Sequence, residues 1–156
     1  MQVQTPIVVL GIDPGSEQSA WVLWDGKRVL KCGTSGNTVL LVALRGNAWG
    51  IVTIAVEGVE ARGAPLGNET RATCEWAGRF SADENAQVIY PKDIRRHFCG
   101  ISGIKRMSVY QVIEDRAGGK GTVEDPGPLH GIISHLRDAL AVAVMAHDLL
   151  EGRTEG

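Results

Sequence analysis

The sequence has little cysteine. Cys32, Cys74 and Cys99 are widely separated and none sits in a CxxC pair. Neither a disulfide framework nor a structural zinc site is expected, and reduced thiols in a cytoplasmic chain are. No apolar run is long enough to span a bilayer, and no basic N-terminal region leads into an apolar stretch. No membrane partner and no export are therefore expected. Internal repeats and low-complexity segments are absent too. Net charge is small, −2 at pH 7, and as a single figure it argues against a nucleic-acid partner. What the chain does have is 156 residues, 44% of them hydrophobic and 22% charged. That fits one globular domain over 1–156 with a real core.

The charge is unevenly spread. Between Lys92 and Lys120 stand Lys92, Arg95, Arg96, Lys105, Arg106, Arg116 and Lys120 against Asp93, Glu114 and Asp115. The segment carries +4 and the remainder −6. It reads either as a solvated face or as a phosphate-binding surface on an acidic body.

Residues 7–13 form a continuous apolar run, the pattern of a strand buried on both faces. Ser19–Trp24 and Lys27–Cys32 flank Asp25-Gly26, a strong hairpin signal. Asn37 is placed to cap a helix that ends near Gly46-Asn47. Ile51–Glu57 is a further strand. Asn68 to Phe80 reads as a helix whose Trp76 and Phe80 lie on one side, facing either the core or a second subunit. Gln87–Pro91 is a short strand stopped by proline, and Ser102 can cap a helix from Ile104 to Arg116. Residues 117–131, rich in glycine and proline, form a flexible loop. The last helix, Ser134–Leu150, is apolar almost all round and should be buried. An opening hairpin followed by alternating strands and helices predicts an α/β fold, a mixed five-stranded sheet with helices on both faces.

Acids stand where core elements end. Asp13 closes the first strand, although Asp13-Pro14-Gly15 is also good turn chemistry. Glu57 closes a later strand, where it can equally mark the edge of solvent. Asp138 sits in the apolar last helix, so its charge must be paired, metal-bound or beside a cleft. His135 lies one turn earlier on the same side, as a ligand or a helix cap. Converging carboxylates repel one another and persist where a cation neutralises them. Hard oxygen ligands select magnesium or manganese, and a histidine tilts the choice toward manganese. Such clusters serve phosphoryl transfer with two metals about 3.5–4 Å apart.

"GIDPGS" at the end of the first strand, "VEGVE" at the end of a later one and "HLRDALAVAV" in the last helix resemble the RuvC Holliday-junction resolvases. "GISGIKRMSVYQVI" resembles the glycine-basic segment before a helix in that family. The resemblance runs through nearly the whole chain in the right order. It implies an RNase H-like fold and a metal-dependent endonuclease that resolves four-way junctions by paired symmetric nicks. It implies a homodimer, two Mg2+ per site and Mn2+ able to substitute. Asp13, Glu57 and Asp138 match the catalytic acids, and His135 stands where members carry aspartate or histidine. Lys105 matches a basic residue at the scissile phosphate, as Arg95 or Arg96 does less closely. Arg62 and Arg106 complete the basic residues expected to meet DNA. Glu60 replaces an aromatic often found three residues after the glutamate, which fits a divergent, phage-type member with looser preference. Two other readings use the same residues: a YqgF-like RNA-processing nuclease, and a junction-binding protein without catalysis.

Overall fold

The computed structural model describes residues 5–50, 53–60, 63, 65–100 and 106–152, with residues 106 and 107 placed only as helix backbone. In chain order the elements are β1 (Val9–Asp13), β2 (Gln18–Trp24), β3 (Val29–Gly36), α1 (Asn37–Arg45), β4 (Thr53–Glu57), α2 (Asn68–Phe80), β5 (Ala86–Ile89), α3 (Pro91–Cys99), α4 (Arg106–Ala117) and α5 (His135–Leu150). The five strands form one sheet in the order β3-β2-β1-β4-β5. The pairs β1–β2 and β2–β3 are antiparallel, while β1–β4 and β4–β5 are parallel. This is the expected mixed sheet, with β1 at its centre.

Strand alternation sends side chains to two cores. Leu10 and Ile12 of β1 join Leu23, Ile54 and Val56 against Leu40 of α1 and Phe80 of α2. Val9, Val22, Trp24 and Ala55 face the other way, against α3, α4 and α5. Phe80 is 1% exposed, so the Trp76–Phe80 side of α2 is used in part for the core.

The position of α5 depends on Gly11. A Cβ there would run into the carbonyl oxygen of Ala139 and lie 2.8 Å from the Ala143 methyl. Only glycine lets the helix backbone lie directly on the central strand. From that contact α5 crosses β1, β2 and β4, and its run from Ala139 to Asp148 is buried throughout.

The structure departs from the sequence reading in three places. The proline that ends β5 also begins a helix: Pro91 occupies the first turn of α3, where its missing N–H costs nothing. Asp93 follows in the first turn, and Gly100 closes the helix at φ 77°, a left-handed cap suited to glycine. Asn37 does not cap α1, which has Gly36 at its N-cap and no side-chain cap. Its amide is buried, donating to the Gly15 carbonyl at 2.9 Å and accepting from the Ser19 hydroxyl. The 117–131 segment folds back on itself: Gly127 N–H donates to Lys120 O and Leu129 N–H to Gly119 O, both at 2.8 Å. Leu129 is fully buried.

Candidate active site

Asp13 and Glu57 are the last residues of neighbouring parallel strands. The register pairs Ile12 with Val56, so the next residue of each strand emerges at the same carboxyl edge of the sheet. That edge is where open α/β sheets build their sites. Both acids are half-buried. The chain beyond Asp13 is held by the amide of Asn37 and by Gly15 N–H, which donates to Ser19 Oγ at 3.1 Å. The polar group read as a helix cap thus fixes the turn that presents Asp13.

The start of α5 meets this edge. His135 Nδ1 lies 2.8 Å from Asp13 Oδ2, with the imidazole mostly exposed and the carboxylate largely covered. Asp13, His135 and Asp138 each offer a ligand atom, and these atoms lie within 4.8 Å of one another. Ser134, just before the helix, holds φ 51° and ψ −128°. Such backbone costs on the order of 1–3 kcal/mol outside glycine and persists where the surroundings enforce it, commonly at functional sites. Here it aims the first turn of α5 at the strand ends.

Glu57 stands outside that group of three and connects two cavities. A cleft of about 370 Å3 runs past Asp13, Glu57, Glu60 and Arg95. A second cavity of about 210 Å3 lies between Glu57, Asp138, Arg95, Arg137 and Tyr110. The sequence reading passed over Arg137, although it adjoins Asp138. Its guanidinium sits 4.4 Å from the centre of the Tyr110 ring, a cation–π contact. Burial pushes the Tyr110 hydroxyl up in pKa, partly offset by Arg137. It stays protonated and donates to Ile132 O at 3.1 Å. A basic residue next to a suspected ligand is the signal that would have singled out Arg137.

The expected DNA-contacting cations fall in different places. Arg95 reaches the cleft. Arg96 is exposed, 3.5 Å from Asp93, and is not among the residues lining either cavity. Arg62 and Lys105 lie outside the described residues, as does the side chain of Arg106. Glu60 accepts a hydrogen bond from Lys92 N–H at 2.7 Å and lies 3.9 Å from Arg95.

Four acidic or imidazole groups at one sheet edge make a hard donor set suited to a divalent cation of the magnesium or manganese type. Comparison with solved structures gives this arrangement a fold. The structure of Thermus thermophilus RuvC superposes with a TM-score of 0.66 at 22% identity, covering 96% of this chain and 99% of that one. The fold is that of RuvC. The same enzyme in complex with Holliday junction substrate gives a TM-score of 0.65 at 22% identity, over 96% of this chain and 98% of that chain. A Fowlpox virus resolvase in complex with substrate Holliday junction DNA matches at 0.51 and 12% identity, over 92% of this chain and 99% of that one. The sheet and the RuvC likeness agree with the expected RNase H-like fold. No family model matches the sequence. No curated protein matches it either. Among the described residues, no helix is long and apolar enough to cross a membrane.

Proposed function

We propose that the protein is a metal-dependent endonuclease that cleaves branched DNA, resolving four-way junctions by paired nicks as a homodimer. The observation that carries the reading is the convergence of Asp13, His135 and Asp138 within 4.8 Å, beside Glu57 at the carboxyl edge of a RuvC-like sheet. The two resolvases of like fold that were solved with Holliday junctions add support. A four-way junction has two-fold symmetry, and two identical sites on a symmetric dimer match it.

Asp13, Glu57, His135 and Asp138 would hold the divalent ions, which when bound activate water and stabilise the leaving oxygen of a phosphodiester. Asp13 and Glu57 fix two carboxylates on the stiff ends of central strands, within the small tolerance such chemistry needs. His135 would offer a ring nitrogen, and the contact of its Nδ1 with Asp13 Oδ2 at 2.8 Å orients the ring. Arg95, on the wall of the cleft, binds a backbone phosphate and stabilises charge that grows in the transition state. Lys105 and Arg106 are assigned the same role from the sequence. A protein that only bound DNA would gain nothing from acids converging where phosphates approach, which disfavours the non-catalytic reading.

Labelled four-way junction, linear duplex and structured RNA, each incubated with magnesium, manganese or chelator, test the proposal. Metal-dependent symmetric nicks in the junction, with duplex largely intact, are expected. Cleavage confined to RNA would move the assignment to RNA processing, and binding without cleavage in any metal would remove the enzyme.

A further inference from the structure

Glu60 is an acid on the wall of a cleft that, on the nuclease reading, receives a polyanion. Left alone there it would repel every phosphate that approached. Its surroundings compensate the charge on two sides. One carboxylate oxygen takes the N–H of Lys92 at 2.7 Å, in the first turn of α3, where four backbone donors lack helical partners and the helix carries partial positive charge. The other oxygen lies 3.9 Å from Arg95 Nη2. Glu60 and Arg95 side chains are 26% and 27% exposed, so the pair is shielded from water without being sealed from the cleft. Arg95 lines both the cleft with Asp13 and the cavity with Asp138. A free arginine side chain samples many rotamers, and fixing it costs entropy that must be met during binding or before it.

We propose that Glu60 is a positioning residue for Arg95. Anchored through the first turn of α3, its carboxylate holds the guanidinium over the cleft in advance of DNA. A guanidinium presents its five N–H donors in a fixed fork, a shape that matches phosphate oxygens once the side chain is held in place. This inference rests on the nuclease reading and deepens it. It gives the acid at this position a task in the rate rather than in the affinity. Loss of Glu60 should therefore lower turnover without weakening binding. Removing the charge takes repulsion off the DNA-facing wall and tightens binding, while the loosened Arg95 slows the cut.

The test is a cycle of Glu60→Ala, Arg95→Ala and the double variant. Each is assayed for junction binding in calcium, single-turnover cleavage in magnesium, and thermal melting without DNA. Arg95→Ala should slow cleavage by about a hundredfold. Glu60→Ala should slow it by about tenfold while binding stays equal or tightens, and should add nothing further once Arg95 is gone. Glu60→Gln keeps the acceptor for Lys92 N–H and loses the charge toward Arg95. It should melt like the wild type and cut like Glu60→Ala, which separates positioning from helix capping. Additive effects on rate, or a Glu60→Gln variant that cuts at the wild-type rate, overturn the proposal. A wild-type chain that leaves every branched DNA intact, with Glu60 and Arg95 still coupled in melting, overturns the nuclease reading; the role in turnover falls with it and the pairing stands.

Discussion

Helix α5 carries an acid near each end, and the two sites are built on opposite principles. Near its C-terminus Asp148 is 1% exposed and fully answered by protein. Arg116 donates to its two oxygens at 2.7 and 2.8 Å, and His97 Nε2 lies 2.9 Å away. Burial alone would raise the pKa of this carboxyl. The hydrogen bonds and charges of Arg116 and His97 outweigh it and hold the group well below the usual carboxylate range. At the other end, Asp138 is half-open and gathers with Asp13 and the exposed His135, with Glu57 on the adjoining strand. The anion at the closed end is matched by basic groups of the chain. At the open end Asp13, His135 and Asp138 bring their ligand atoms within 4.8 Å of one another, with Arg95 and Arg137 on the walls of the adjoining cavities. A buried acid with fixed partners serves the fold, whereas on the proposed function the acids gathered at the strand edge hold a cation from outside.

The strongest way to break this comparison is to treat the ends alike. Glu57→Gln keeps the shape of the open end and removes one of its charges. Cleavage of labelled junction is expected to fall on the order of 10⁴-fold, roughly 5 kcal/mol of transition-state stabilisation. Circular dichroism and junction binding should stay near those of the wild type. Cutting at the wild-type rate would remove Glu57 from the site. Asp148→Ala should do the reverse. It strands Arg116 and His97 and should cost about 3–5 kcal/mol in denaturant unfolding, with cleavage by the surviving folded fraction little changed. Unchanged stability would mean that the triad does not hold α3, α4 and α5 together.

Smaller effects sharpen the contrast. Magnesium or manganese at a hundredfold excess over its dissociation constant should stabilise the wild type by about 2.7 kcal/mol. The gain should vanish in Asp13→Asn and survive in Asp148→Asn, as read by melting with and without chelator. Acid acts on the closed end. Because Asp148 titrates lower in the folded chain than in the unfolded one, its contribution is complete above the unfolded value, near 4. It is then lost as pH falls toward the depressed folded value, at no more than about 1.4 kcal/mol per pH unit. Unfolding curves between pH 5 and pH 2 should be steeper in the wild type than in Asp148→Asn. Parallel curves would place the acid sensitivity elsewhere.

Much of this was legible in the sequence, and the reason is local. An apolar run that stops on an acid marks a strand end, as at Asp13 and Glu57. A charged residue one turn after His135 in an apolar helix marks Asp138. Residue patterns within one element were enough for these. Pro91 was half legible, because a strand stop and a helix start share the same residue. Asn37 carried a cap signature and was used for a contact reaching back to Gly15, which only the folded sheet creates. The partners of Glu60 and Asp148 could not be read: the first finds Arg95 across a loop, and the second finds His97 and Arg116 from other helices. Charge pairs between separate elements leave no spacing rule in the chain.

The glycine in the middle of β1 makes α5 a lever. Its fulcrum is the patch where Gly11 meets Ala139 and Ala143, centred about half a turn into the buried run. From that fulcrum Asp138 lies only about 4.5 Å along the axis, and Asp148 lies about 10 Å away. A play of about 1 Å at the Asp148 clamp therefore reaches Asp138 as roughly 0.4 Å, within the roughly 0.5 Å that a preorganised site tolerates. His135, about 9 Å out on the same arm, receives nearly the full swing. On the proposed function the carboxylate is then the steady jaw of the site, and the imidazole, further out, depends on its contact with Asp13 to keep its place.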